Sequence, residues 1–128
     1  MITDLIATVR ASAGSFVTVE LAQSMEPIDD LQAETPAAYF YLGGESASQS
    51  DADGAIVQEV TRTVNVFVVG LHADMMTLRA EIRQLILNYQ PDAYHTPMEF
   101  VGGDSASIKG EWQWWQDTYT TRTHYRQT

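Results

Sequence analysis

The stretch IVQEVTRTVNVFVV, from Ile56 to Val69, carries the strongest structural signal in the chain. Its apolar and polar residues alternate, which is the period of a β-strand with one buried face. At Phe67 and Val69 the polar face becomes apolar as well, so this end of the strand is expected to be buried on both sides. The sequence therefore predicts a long strand at the centre of a sheet.

The segment from Met75 to Tyr89 changes to a helical pattern, with apolar residues three or four positions apart and polar residues opposite. Asp74 stands at the N-cap position, and Pro91 follows where a helix must end. We therefore predict one main α-helix over about residues 74–90, packed on the sheet. Its apolar stripe consists of Met75, Leu78, Ile82, Leu85, Ile86 and Tyr89.

Two smaller helices are also expected. Apolar residues from Ile2 to Val9 have helical spacing, and Gly14 follows where a helix C-terminal glycine belongs. Pro27 is followed by acidic residues, which is the composition of a helix first turn, and predicts a short second helix ending near Glu34.

Four further segments are rich in β-branched and aromatic residues, which favour strands. They are Phe16–Leu21, Ala37–Leu42, Met98–Val101 and Glu111–Arg126. The chain is therefore predicted to be an α+β protein, with a mostly antiparallel β-sheet and one main α-helix packed on it.

Two segments echo each other: YLGGESAS at residues 41–48 and FVGGDSAS at residues 100–107. Glycine pairs are typical of turns, so we expect a strand to end at each pair. Residues Glu45 to Gly54 have no apolar periodicity and predict an exposed loop. We expect this loop, over Glu45 to Asp53, to be disordered in the free subunit and to order on assembly.

Length and composition limit the class of protein. A chain of 128 residues, 45% of them hydrophobic, is expected to form a single domain over residues 1–128. It has no cysteine, which excludes disulfides and thiolate chemistry. It shows no signal peptide and no stretch long enough to span a bilayer, so we expect a soluble protein without a membrane partner.

The charge is strongly acidic and unevenly distributed. The net charge of −10 argues against nucleic acid as a ligand. Between Arg10 and Arg62 there is no basic residue, whereas the last eleven residues carry bases and no acid. Two interpretations stay open: an acidic surface that aids solubility, or a head-to-tail contact between an acidic patch of one subunit and the basic strand of the next.

Aromatic residues in the C-terminal strand favour an interface. Trp114 and Trp115 are adjacent, so in a regular strand they point to opposite faces, and one leaves the core unless both faces are covered. The predicted interface residues are Glu45, Asp51, Asp53, Glu59, Arg62, Trp114, Trp115, Tyr119, Arg122, His124 and Arg126.

Candidate chemistry is weak by comparison. The Gly-Gly-acid-Ser segments lack the lysine and following helix of a phosphate loop, and the acidic residues from Asp51 to Gly54 lack the later ligands of a calcium loop. His72 and Asp74 have a spacing that suits a metal, but Asp74 is expected to cap the helix. No hydrolase motif accompanies any histidine. We therefore expect no catalysis, no metal and no cofactor.

Six stretches together resemble, in their order and spacing, the tail terminator proteins of long-tailed bacteriophages. The stretches are Thr35–Tyr39, Val64–Val69, Leu78–Arg83, Tyr89–Asp92, Phe100–Gly103 and Gln113–Tyr119.

This resemblance implies a structural role in the virion. Six copies would form a ring that caps the head-proximal end of the tail tube, stops its polymerisation and joins it to the head connector. The implied partners are the chain itself, the tail tube protein and a connector or head-completion protein, with DNA only passing through the lumen. Assembly would take place in the bacterial host cytoplasm, and the protein would end in the tail-neck region of the virion.

Two alternatives differ in function. A head-completion or other neck protein shares the size, the acidity and the lack of catalytic motifs. A small-ligand binding module would use the tryptophan cluster and a nearby histidine, but the sequence shows no convergent set of polar residues for it.

Overall fold

A computed structural model describes residues 2–22, 35–47 and 56–127. They form one five-stranded sheet and two α-helices, which confirms the predicted α+β class. The elements are α1 (Ile2–Ser12), β1 (Thr18–Leu21), β2 (Ala37–Ala47), β3 (Ile56–Leu71), α2 (Met75–Leu87), β4 (Glu99–Lys109) and β5 (Trp112–Gln127).

The strand order is β1-β2-β3-β5-β4, so β3 lies at the centre of the sheet as its sequence predicts. β1 pairs with β2 in parallel, and the three other ladders are antiparallel. The longest ladder joins β3 to β5 from Ile56 opposite Gln127 to Leu71 opposite Trp112. The sheet is thus built around two long strands that are far apart in sequence.

Both helices pack on one face of the sheet, which we call the helix face. On β3 this face carries Val64, Val66 and Val68, all fully buried, and on β5 it carries Tyr119. Burial of each large aliphatic side chain contributes about 1.5–3 kcal/mol. The predicted stripes are confirmed, because the helices contribute the following buried residues: Leu5, Ile6, Val9, Met75, Leu78, Ile82 and Ile86.

The opposite side, called the second face, has a smaller apolar cluster. Ala37, Tyr39 and Val69 are buried there, with Phe67 and Trp114 packed against them. The predicted burial of β3 on both sides at its far end is therefore confirmed.

Both strands that were expected to stop at a glycine pair run through it. β2 continues to Ala47, and β4 continues to Lys109. Each has a register shift at its glycines, between Leu42 and Gly44 in β2 and next to Gly102 in β4. A β-bulge accommodates an extra residue without ending the strand. The predicted loop is thus wrong for residues 45–47, and residues 48–54 lie outside the described part of the chain.

The helix ends follow the sequence patterns only in part. A 3₁₀ turn over His72–Asp74 leads into α2, and the Asp74 side chain makes no capping hydrogen bond. α2 ends at Leu87, before Pro91. α1 ends at Ser12, so Gly14 follows the helix as predicted, although its φ is not positive. The short helix predicted from Pro27 to Glu34 lies outside the described residues. No helix in the described ranges is long and apolar enough to cross a membrane.

Candidate assembly interface

Several charged residues predicted to meet a neighbouring subunit have acidic or basic partners within their own chain. Arg62 Nε lies 2.9 Å from Glu45 Oε1, on the helix face. Arg122 Nη2 lies 3.1 Å from Glu99 Oε1. His124 Nε2 is 3.9 Å from Glu59 Oε2, close enough for an ion pair when the imidazole is protonated. Part of the charge expected at an interface is therefore balanced inside the subunit.

For three other predicted interface residues, the structure gives no side-chain position. Asp51 and Asp53 lie outside the described residues. The backbone of Arg126 belongs to β5, opposite Val57 of β3, but its side chain is not among those that the structure describes.

The two adjacent tryptophans point to opposite faces, as predicted. Trp114 packs on the second face beside the cluster that contains Val69. Trp115 lies on the helix face, where the guanidinium carbon of Arg79 sits 4.1 Å from its ring centroid. A cation over an indole face gains electrostatic attraction, and more so where water is excluded. The Trp115 ring thus packs against a residue of its own subunit.

Tyr119 is fully buried in the core, where its ring packs against Phe100 at a centroid distance of 5.5 Å. Burial, followed by the negative charge of Asp117, raises the pKa of the Tyr119 hydroxyl, and the charge of Arg83 opposes this shift in part. A residue without exposed surface supplies no contact area to a partner of this subunit. The structure therefore corrects the expected surface position of Tyr119.

A buried ion pair lies beside these residues, and the sequence patterns did not predict it. Arg79 of α2 donates from Nε to Asp117 Oδ2 at 3.0 Å and from Nη2 to Oδ1 at 2.7 Å. Asp117 is fully buried and Arg79 is 6% exposed. A two-pronged guanidinium–carboxylate contact fixes both distance and orientation. It therefore fixes the position of α2 on β5.

A glycine in β4 makes room for this pair. A Cβ placed on Gly103 would collide with Asp117 Oδ1 and would lie 2.8 Å from Trp115 Nε1. The neighbouring Gly102 has nothing within 4 Å of the same position. The second glycine of the pair is therefore required by close packing rather than by a turn.

The second face has its own polar network around Asn65. Asn65 Oδ1 accepts hydrogen bonds from Thr118 Oγ1 at 2.8 Å and from Gln116 Nε2 at 3.2 Å. A Cβ on Gly43 would collide with Asn65 Nδ2. A glycine in β2 thus accommodates a buried polar residue of β3, much as Gly103 accommodates Asp117.

His72, which was considered as a metal ligand, lies within hydrogen-bond distance of a glutamine of β5. His72 Nδ1 is 2.8 Å from Gln113 Oε1, and Gln113 donates to Ser105 at 2.9 Å. No group of three or more His, Cys, Asp or Glu residues that could hold a metal occurs in the part of the chain that the structure describes. A mostly apolar surface depression of about 460 Å³ lies next to His72. It is lined by Leu71, His72, Ala73, Ile108, Gly110 and Glu111.

Both edges of the sheet are exposed in the described residues. β4 is an outer strand, and its Val101 and Ile108 are 62% and 61% exposed. On the opposite edge, β1 covers β2 only from Ala37 to Phe40, so β2 beyond Phe40 has no outer partner strand in the described ranges. Unpaired strand edges present rows of backbone donors and acceptors to another chain.

In the ranges that the structure describes, these features define a small α+β protein whose sheet is covered by helices on one face and has no further strand paired at either edge. The chain matches the family model of the phage tail terminator protein over residues 2–128, nearly its full length, and belongs to that family. No match to the chain was found among curated proteins. The chain is therefore a structural component of a bacteriophage tail and part of the virion, where it contacts other virion proteins.

Proposed function

We propose that copies of this chain form a ring, of six subunits, at the head-proximal end of the tail tube. The ring stops the polymerisation of the tube and presents a surface to the head connector or a head-completion protein. The family match over residues 2–128 is the observation that carries this proposal.

The distribution of cations supports a role in which DNA passes through without being bound. The chain has a net charge of −10. All five arginines with described side chains contact groups of their own chain. Arg10 donates to the Val19 carbonyl, Arg83 stacks on Phe100, and the other three pair with acids: Arg62, Arg79 and Arg122. Binding of the DNA backbone depends on available Lys and Arg, so the negative net charge and these contacts within the chain disfavour DNA binding by the subunit.

The test is electron microscopy of phage particles after the reading frame is interrupted by a stop codon. Overlong tubes without attached heads are the expected result, because an uncapped tube continues to polymerise. Wild-type protein supplied from a plasmid is the control and should restore tails of normal length joined to heads.

Two other results would contradict the proposal in different ways. Tails of normal length that do not join heads would assign the protein to the neck as a head-completion or joining protein. Normal particles would show that the protein is not needed for assembly, and would favour the alternative of a ligand site near the tryptophans.

A further inference from the structure

The direction of the strands determines how a second copy can extend the sheet. β2, β3, β5 and β4 are neighbours in that order, and each is antiparallel to the next. β4 therefore runs opposite to β2. If a second copy in the same orientation is placed beside β4, its β2 meets β4 in the antiparallel direction.

The exposed segments at these two edges consist mostly of small residues. The segment Gly44–Ala47 of β2 pairs in continuous register after the shift at Gly44, and the segment Gly102–Ser105 of β4 pairs in continuous register between its two shifts. They read GESA and GGDS, and each belongs to one of the two echoing stretches. Neither contains a lysine or a proline, which many proteins place on an edge strand to block pairing with another chain. A second backbone can therefore approach both edges closely.

The faces of the sheet keep the acids of the two segments apart. Glu45 pairs with Arg62 on the helix face. Asp104 pairs with Gln116, which lies on the second face with Asn65. Because side chains alternate between faces, no register that continues both faces places Glu45 opposite Asp104. Like charges, which destabilise a directly opposed cross-strand pair, are thus avoided.

We propose that the outer edge of β4 pairs with the Gly44–Ala47 segment of β2 from a second copy, in antiparallel orientation, so that one sheet continues from subunit to subunit. The contact is heterologous, with a different edge on each side, which is the type of interface that closes into rings. The proposal deepens the ring function and rests on the self-association that this function requires.

Disulfide cross-linking tests the pairing, and the absence of native cysteines makes it specific. In two registers, residues on the same face of the sheet lie opposite each other over most of the two segments. One register places Ser46 opposite Asp104, and the other places Ser46 opposite Gly102. Directly opposite Cα atoms lie about 4.5–5.5 Å apart, within the range of a disulfide. In the S46C/D104C or the S46C/G102C variant we expect a ladder of covalent oligomers beyond the dimer under mild oxidation.

Matched controls separate this pairing from random contact. Each single cysteine variant should give no ladder, whereas a strong dimer from Ser46→Cys alone would indicate that two β2 edges meet. The S46C/M76C variant places the second cysteine on α2, at a residue that is 69% exposed, and should not form a ladder. A ladder from this control equal to that from S46C/D104C would overturn the proposal.

A second measurement uses charge to block the edges. Ala47 and Ala106 are exposed edge residues, and Ala7 is an exposed residue of α1. In Ala47→Lys and Ala106→Lys, we expect self-association to weaken by roughly tenfold or more, because backbone hydrogen bonds between copies are lost. Ala7→Lys adds the same charge away from the edges and should associate as the wild type does.

The outcomes distinguish failure of the pairing from failure of the ring. If rings persist in both lysine variants and neither double cysteine variant cross-links, the edge pairing is wrong and the ring remains. If the wild-type chain does not self-associate in solution or in isolated tails, both the ring and the edge pairing are wrong.

Discussion

Arg79 and Asp117 join the main helix to the sheet through a pair of charges that water scarcely reaches. Such a pair is weak evidence of net stabilisation, because removing two charges from water is costly. Removing one partner is strongly destabilising, because the remaining charge stays buried without a partner.

We expect Arg79→Ala to lower the free energy of unfolding by about 3–5 kcal/mol, because Asp117 is then left as an uncompensated buried carboxylate. Urea denaturation followed by tryptophan fluorescence measures this loss. Arg122→Ala removes one member of the exposed pair with Glu99 and should cost at most about 1 kcal/mol. Equal losses in the two variants would show that the Arg79–Asp117 pair does not anchor α2.

Tyr119 gives the fold a sensitivity to alkaline pH. Its pKa is raised in the folded state, mainly by burial, whereas in the unfolded chain it is about 10. The folded state therefore keeps a proton that the unfolded state releases, and stability is lost as the pH rises above about 10.

We expect Tyr119→Phe to flatten the decline of stability above about pH 10, because the titrating hydroxyl is gone. Unfolding free energies measured between pH 7 and pH 11 test this. Tyr94→Phe is the matched control, since the Tyr94 side chain is 84% exposed. A decline as steep in Tyr119→Phe as in the wild type would contradict the assignment.

At the scale of elements, the strands depend on glycines in two different ways. Gly110 connects β4 to β5 with a φ of 61°, a left-handed conformation that favours glycine. Gly103 is needed because a side chain would strike Asp117 of the neighbouring strand. The first requirement is visible in a sequence as a turn signal, whereas the second depends on the residue that lies opposite.

Gly103→Ala is expected to destabilise the protein by about 1–3 kcal/mol, the usual effect of forcing an extra carbon into a packed site. Gly102→Ala, one residue earlier in the same strand, meets open space and should change stability by at most about 0.5 kcal/mol. Thermal or urea unfolding compares the two variants directly. If both alanine variants are as stable as the wild type, a side chain at residue 103 can be accommodated beside Asp117, and the close packing does not require glycine there.

At the scale of the subunit and its neighbours, charge and backbone pairing predict opposite responses to salt. A contact between an acidic patch and a basic strand weakens as salt screens the attraction. Pairing of two sheet edges between subunits of charge −10 is opposed by repulsion, which salt relieves.

We therefore expect self-association of the wild-type chain to be unchanged or stronger when NaCl is raised from about 0.05 M to about 0.5 M, because salt over this range shortens the screening length severalfold. Sedimentation equilibrium measures this directly. Dissociation of the oligomer by salt would instead favour the head-to-tail contact between acidic and basic surfaces.

The elements that the sequence predicted correctly are those with a local period. Alternation over residues 56–69 fixed β3 and its central position, and helical spacing fixed α1 and the buried stripe of α2. Each period reflects which side of one element must leave water, and that information is contained in the segment itself.

What the sequence did not predict depends on pairs of residues that are distant along the chain. A glycine pair has the same local preferences in a turn and in a bulged strand, and only the opposing residues, Asn65 and Asp117, separate the two. The burial of Arg79 and Tyr119 depends in the same way on how α2 lies across β5. Local patterns determined which segments become helix and strand. The tertiary packing determined which polar residues are buried and which sheet edges remain unpaired, because burial and pairing depend on several segments together.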